Sequence, residues 1–145
     1  MCIKGSKLMI VTNALHPSPE QAVAFFSGTE DGPMCMVNLL KFKDKATYAD
    51  GSEPELSGRE AYLRYGMAVQ VCLAAVGGRA RFSGMVSDLM LGEVEDLWDM
   101  VAIAEYPSRA AMLNMVQSPE YQAISKHRDA GLAGQLNIRT KAMGD

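Results

Sequence analysis

The chain is 145 residues long, 48% hydrophobic and 21% charged, with a formal net charge of −3. That length fits one ordinary domain, and the composition is that of a globular protein rather than a disordered one. With no basic excess and no Lys-Arg run, the chain offers neither nucleic acid nor an anionic membrane a complementary face. No stretch of about 18 apolar residues occurs, so no membrane-spanning helix is expected. The run Leu8–Val11 is too short for a signal-peptide core, and the expected location is cytoplasmic. Cys2, Cys35 and Cys72 lack any C-x-x-C spacing and read as small hydrophobes in a reducing compartment.

In chain order, Ser18-Pro19-Glu20-Gln21 is a helix start: a capping hydroxyl, a proline at the first helical position, and a glutamine placed to close a capping box. Val23, Phe25 and Phe26 follow, and Gly28 ends the helix. Met34–Phe42 is an almost unbroken apolar run with Asn38 near its middle, which predicts a buried strand. Residues 43–57 form a long loop rich in turn formers and charge. Ser57-Gly58-Arg59-Glu60 opens a second helix in which Tyr62, Tyr65, Val69, Cys72 and Val76 share one stripe, and Gly77-Gly78 stops it. Two strands are expected next, Arg79 to about Leu91 and about Trp98 to Tyr106, separated by a turn at residues 92–96. Pro107 and Ser108 start a helix, Ser118-Pro119-Glu120 restarts it over Tyr121–Ala130, and a last strand spans Gly134 to about Thr140.

Residues 1–32 therefore read as an N-terminal extension with a short helix, and residues 33–145 as the domain proper. Strand, helix, strand, strand, helix, strand is the ferredoxin-like βαββαβ order: an α+β fold whose four-stranded antiparallel sheet carries its helices on one face. Alternation along the strands predicts the contents of the other face. Ala102, Ala104, Leu136, Ile138 and Phe82 read as helix-facing. Asn38, Arg81, Ser83, Glu105 and Asn137 then stud an opposite face that also carries Met36, Leu40, Val101 and Ile103. A half-apolar face with embedded polar groups suits an enclosed pocket or a subunit interface, so a homodimer through the sheet face is expected.

On this reading Asn38, Arg81, Ser83 and Glu105 are the candidate ligand-binding residues, for a small, partly apolar organic molecule. Glu105 and His127 are the candidates for proton transfer. The competing readings are an Arg81–Glu105 ion pair at a dimer seam and a His127–Arg128 pair that complements a helix dipole. His16 reads as a loop residue. With two histidines far apart, no metal site and no cofactor are expected.

Val37-Asn38-Leu39-Leu40-Lys41-Phe42, Gly77-Gly78-Arg79, Glu105-Tyr106-Pro107-Ser108, Ser118-Pro119-Glu120-Tyr121 and Arg128 together resemble the pattern of the family named domain of unknown function 1330, over roughly residues 33–140. The resemblance implies a dimeric α+β barrel, an architecture shared with cofactor-free monooxygenases, muconolactone-isomerase-like enzymes and haem-handling relatives. It implies no established activity. Where Ser83 stands, the family often has arginine; if that arginine binds an anionic group, the resemblance implies that this chain has either lost the contact or replaced it with Arg81. Cofactor-independent oxygenation or isomerisation is the expected chemistry; the alternative is a non-catalytic ligand-binding or structural dimer.

Overall fold

Local hydrogen bonds set the helix starts. In the computed structural model, which describes residues 9–144, helix α1 (Pro19–Phe26) begins where the Ser18 hydroxyl accepts from the Gln21 backbone N–H at 3.1 Å. Cys2 and Leu8, the first residue of the short apolar run, lie outside the described residues. Helix α2 (Gly58–Ala75) opens on a complete capping box. Ser57 Oγ accepts from Glu60 N–H at 3.0 Å, and Glu60 Oε1 accepts from Ser57 N–H at 3.1 Å. Ser108 caps α3 (Arg109–Gln117), and Ser118 both ends α3 and caps α4 (Pro119–Gly131). The Ser118 hydroxyl donates to the Met115 carbonyl at 2.7 Å and accepts from Tyr121 N–H at 3.2 Å, so the expected restart is a single shared residue.

The strands are β1 (Met34–Phe42), β2 (Arg79–Met85), β3 (Met100–Tyr106) and β4 (Leu132–Thr140). They form one antiparallel sheet in the order β2-β3-β1-β4, as expected for the ferredoxin-like fold. Two strand ends differ from expectation. β2 stops at Met85 rather than near Leu91, because after the Val86 N–H to Asp99 carbonyl bond the chain leaves the sheet as a long connection. Leu89, Met90 and Leu91 are exposed there. Their hydrophobicity resembled strand, but Ser87-Asp88 breaks the alternation. β4 starts at Leu132, directly after α4, instead of at Gly134.

The core lies between the sheet and α2, α3 and α4. Met34, Met36, Val69, Cys72, Leu73, Tyr106 and Met115 make one buried cluster, and Leu40, Tyr62 and Leu132 a second. Cys35 and Cys72 are free thiols. The start of α2 and the end of α4 meet at two glycines: a methyl group on Gly131 would lie 2.9 Å from Tyr62 N and closer still to the Gly58 carbonyl oxygen. Alanine ordinarily favours a helix over glycine by about 1 kcal/mol. Here the obstruction is backbone, which cannot rotate away. Gly131→Ala should therefore destabilise the fold by about 1–3 kcal/mol, read as a lowered denaturation midpoint; a midpoint equal to or above wild type would refute the close approach.

Candidate functional site

Strand register assigns every side chain to a face. Met34, Met36, Asn38 and Leu40 pair with Tyr106, Ala104, Ala102 and Met100 on one side, and Asn38 and Leu40 pair with Asn137 and Gln135 on the other. Because Met34, Met36 and Leu40 are buried against the helices, this whole row is the helix side, and Asn38 and Asn137 belong to it. The opposite face carries Val37, Leu39, Val101, Ile103, Leu136 and Ile138. Phe82 joins them, because the β2–β3 register shifts between Ala80 and Phe82. Arg81 is the extra residue of that bulge. It reverses parity, so Ser83 pairs with Ala102 on the helix side, whereas Arg79 and Glu105 pair on the open side.

The expected grouping is thereby corrected. Asn38, Ser83 and Asn137 face the helices with Met36 and Leu40, and Leu136, Ile138 and Phe82 lie on the open face. The reason is that β1 is apolar on both sides, so its alternation carried no information about which side was which.

On the helix side the sheet floor is built from small residues, Ala80, Ser83, Ala102 and Ala104, which leave depth beneath α2. The result is a hollow of about 1090 Å3 whose lining takes in this floor and the helices above it and extends to Phe82, Ile103, Leu136 and Ile138 of the opposite face. Tyr62 and Tyr65 of α2, Tyr121 of α4, Met112 and Met115 of α3, and Phe25 of α1 wall it. The tyrosine rings meet in sequence: Tyr62 and Tyr65 are tilted against each other with centroids 5.4 Å apart, Tyr65 and Tyr121 meet edge to face at 6.0 Å, and the last two share a 3.0 Å hydroxyl–hydroxyl bond. Burial pushes the Tyr62 phenol up to about 12 and drives Tyr65 and Tyr106 well above the usual tyrosine value, so all three stay protonated at neutral pH.

One polar chain runs into this apolar space. Asn38 donates from Nδ2 to the Ala102 and Met36 carbonyls at 3.1 and 3.3 Å, and its Oδ1 accepts from Gln135 Nε2 at 2.6 Å. Gln135 Oε1 accepts in turn from Arg128 Nη2 at 2.7 Å. Arg128 Nη2 also donates to the Leu15 carbonyl, and Nη1 to Asp129 Oδ1 at 3.1 Å. His16 Nε2 lies 3.3 Å from the same Asp129 oxygen. The segment carrying Leu15 and His16 is strapped across the end of the cleft by Ala14 N–H to the Gln135 carbonyl (3.1 Å) and by Trp98 Nε1 to Asn13 Oδ1 (2.8 Å). Asn38, Gln135, Arg128, Asp129 and His16 all line the cleft.

Residues 47–140, most of the domain, match the family model described as "Domain of unknown function (DUF1330)". The chain belongs to the DUF1330 family. It is similar to a protein of unknown function from Rhodopseudomonas palustris, with 32% identity, a TM-score of 0.82, and coverage of 92% of this chain and 100% of that one. The methylated form of that protein superimposes with a TM-score of 0.83 at 34% identity, covering 92% of this chain and 97% of the other. A structure described as a dimeric ferredoxin-like protein of unknown function from Thermobifida fusca matches at 14% identity with a TM-score of 0.48, over 77% of this chain and 92% of that one. No curated protein matches the chain.

Within this DUF1330 domain the remaining candidates fall away from the cleft's polar chain. Glu105 is clamped on the open face by Arg79 Nε at 3.1 Å and Arg81 Nη1 at 2.7 Å. Partial burial pushes its carboxyl up, but the bonds and charges of the two arginines outweigh that and hold it below the ordinary glutamate value. It is an ionised clamp. His127 projects from α4 toward the 43–57 loop, where its Nδ1 is 2.7 Å from the Tyr48 hydroxyl. Close by, Glu53, in left-handed backbone at φ 50°, accepts two bonds from Arg64.

The long loop is thus folded onto α2 and α4, with Ala46 packed among Ala61 and Ala130. No cluster of three or more metal-ligating side chains occurs among the described residues, and none of the described helices is long and apolar enough to cross a membrane. Sequence reasoning passed over Arg128, Gln135, Asp129 and His16 as site residues. The available signal was an arginine in the last turn of α4 with a glutamine seven residues later on the adjoining strand.

Burial, together with the charges of Lys126 and Arg64, holds the His127 imidazole below its ordinary value of 6.5. A histidine depressed in the fold takes up protons more readily when unfolded, so stability should decline as pH falls from about 6.5 toward the folded-state value and level off below it. Protonation also removes the acceptor used by Tyr48. His127→Gln should flatten this stretch of the stability profile in urea titrations at several pH values; an unchanged slope would rule out His127 as its source.

Proposed function

We propose that this chain binds a small, partly apolar organic molecule in the cleft between its sheet and its helices, and that it does so as a homodimer joined through the open sheet face. The cleft carries the first half of this reading. Its volume of about 1090 Å3 is ample for a small ligand, and its lining mixes aromatic and aliphatic side chains with the Asn38–Gln135–Arg128 chain and with other polar groups such as Ser83, Gln122 and Asn137. A guanidinium has five N–H donors, and Arg128 gives three hydrogen bonds to protein acceptors. Its Nε–H and one Nη1–H have no acceptor among the described residues, and either can meet a ligand carbonyl or carboxylate. Such a molecule is oriented by its oxygen and embraced by the tyrosine wall. Chemistry on it needs no cofactor, and oxygenation and isomerisation are the two classes proposed.

The open face supports the second half. Val37, Leu39, Val101, Ile103, Leu136, Ile138 and Phe82 make a continuous apolar surface, with Phe82 56% and Ile138 46% exposed. Apolar surface of this kind ordinarily marks an interface, and a second copy of the same sheet is its natural complement. Arg79 and Arg81 both donate to Glu105 on that face, which favours a seam role for Arg81 and Glu105. Of the four candidate binding residues, Asn38 and Ser83 are proposed for the cleft.

The two halves separate experimentally. Native mass spectrometry of the protein purified from its own host should report a dimer carrying a retained small molecule. Asn38→Ala should lose the molecule and keep the dimer, whereas Val37→Glu should split the dimer. Retention unchanged in Asn38→Ala and Arg128→Ala would overturn the cleft as the binding site, and a monomeric wild type would overturn the seam.

A further inference from the structure

We propose that Arg139 holds the charged end of the ligand, a carboxylate, so that the molecule taken into the cleft is an organic monocarboxylic acid with an apolar body. The inference rests on the cleft being the binding site and goes beyond it by naming the ligand's charged group and the residue that reads it. Arg139 Nε and Nη2 are both closed to solvent and have no hydrogen-bond partner among the described residues. These two nitrogens form one edge of the guanidinium, and its parallel N–H groups match the two oxygens of a carboxylate. Stripping a cation's donors of water without supplying an acceptor opposes folding. An unmet edge of this kind points to an acceptor that the chain itself does not provide.

The surroundings explain why no acceptor comes from within. Glu30 and Asp31 are carboxylates near enough to feel this charge. Glu30 is held below its ordinary value mainly by Lys141 and then by Arg139; Asp31 is lowered mainly by the backbone N–H groups of Arg109 and Gly32, with Arg139 adding less. Each is engaged elsewhere. Glu30 Oε1 accepts from Lys141 Nζ at 3.1 Å, and Asp31 Oδ1 accepts from the N–H groups of Gly32 and Arg109, both at 2.8 Å. Arg109 in turn directs its side chain to the Glu30 and Phe25 carbonyls. Arg109, Arg139 and Lys141 thus face only Glu30 and Asp31, and this group is one negative charge short of balance. A singly charged acid makes up that difference, and a neutral carbonyl compound does not.

Register places the edge where it can serve the cleft. Arg139 stands on the edge strand β4 opposite Met36, on the helix side with Asn137 two residues before it. Met36 and Asn137 line the cleft, as do Phe25 and Phe26 of α1. A carboxylate on the Arg139 edge therefore leaves its apolar body to run along Met36 and the phenylalanines. Gln135, which receives Arg128, is four residues back on the same strand, about 13 Å away, so the two arginines mark opposite ends of the cleft's β4 side. Entry of the acid requires the cover over the edge to part. Neither α1 nor the connection at residues 27–33 holds a buried residue, which makes that stretch the one able to give way.

Octanoate and octanamide share a chain length and differ in charge, and calorimetric titration of each into the full-length protein at neutral pH tests the assignment. Wild type should bind octanoate about 10–100-fold more tightly than octanamide, the usual gain from hydrogen bonds to a charged group. Arg139→Met, close in length and without donors, should bring octanoate down to the affinity of octanamide and leave octanamide unchanged. Arg139→Lys keeps the charge but not the fork, and should recover only part of the preference. With no ligand present, Arg139→Met should denature in urea at a midpoint equal to or above that of wild type, because a cation without an acceptor has been removed.

If wild type binds both probes equally, or if the preference for octanoate survives in Arg139→Met, the Arg139 site is overturned and the cleft reading stands. A lowered urea midpoint in ligand-free Arg139→Met would reveal an acceptor inside the fold and overturn the site as well. If neither probe binds wild type, both readings fall.

Discussion

A guanidinium that is only 15% exposed must find its partners inside the protein, and Arg128 finds them on its own helix and on two other stretches of chain. A buried charge left unpaired costs several kcal/mol. The Leu15 carbonyl, the Gln135 amide and the Asp129 carboxylate are therefore drawn to one point. Each partner carries structure with it. Leu15 brings the N-terminal strap, Gln135 brings the edge strand β4, and Gln135 passes the bond on to Asn38 in the middle of β1. The same interaction that anchors α4 to the sheet thus puts a continuous polar chain along one end of an apolar cleft. The geometry of the candidate site follows from satisfying one side chain.

What was legible in the sequence was local. Ser57 and Glu60, Ser18 and Pro19, and the doubly used Ser118 mark helix ends through bonds spanning three or four residues, and such bonds need no tertiary context. Element order, and with it the ferredoxin-like fold, follows from those marks and from the apolar run of β1. The faces of the sheet were not legible, for two physical reasons. β1 presents Met36 and Leu40 on one side and Val37 and Leu39 on the other, so its pattern has no polar side. Arg81 inserts an extra residue into β2, which reverses every later position on that strand. Alternation read straight through the bulge places Ser83 beside Arg81, although the sheet separates them.

The site was less legible than the fold because its polar members are ordinary where they stand. Arg128 in a last helical turn is adequately explained by the helix dipole, Gln135 by an exposed strand position, and His16 by a loop. Only the abrupt junction between α4 and β4, which start and end on neighbouring residues, brings Arg128 and Gln135 within one bond of each other. His127, one residue earlier on the same helix, points roughly 100° away around the axis by helical geometry. There it meets the long 43–57 loop instead. Adjacent residues on a helix do not share a face, and that step of one decides which cation enters the cleft.

The sheet then has two unlike faces, each incomplete in its own manner. The helix side is hollow because alanines and a serine floor it where larger side chains would fill the space under α2. The open side is full-sized and aliphatic but has no cover among the described residues. The proposed ligand, with its oxygen, suits a hollow lined by tyrosines and an arginine, and the proposed second sheet suits a flat aliphatic surface closed at one corner by Arg79, Arg81 and Glu105. Both demands meet at the bulge, where one inserted residue turns Arg81 outward to Glu105 and Ser83 inward to the alanine floor. Without the bulge, regular alternation from Arg79 would put Phe82 on the alanine floor and Ser83 on the open face beside Arg81. On this argument the insertion lets a single edge strand contribute to the proposed binding cavity and the proposed subunit seam together.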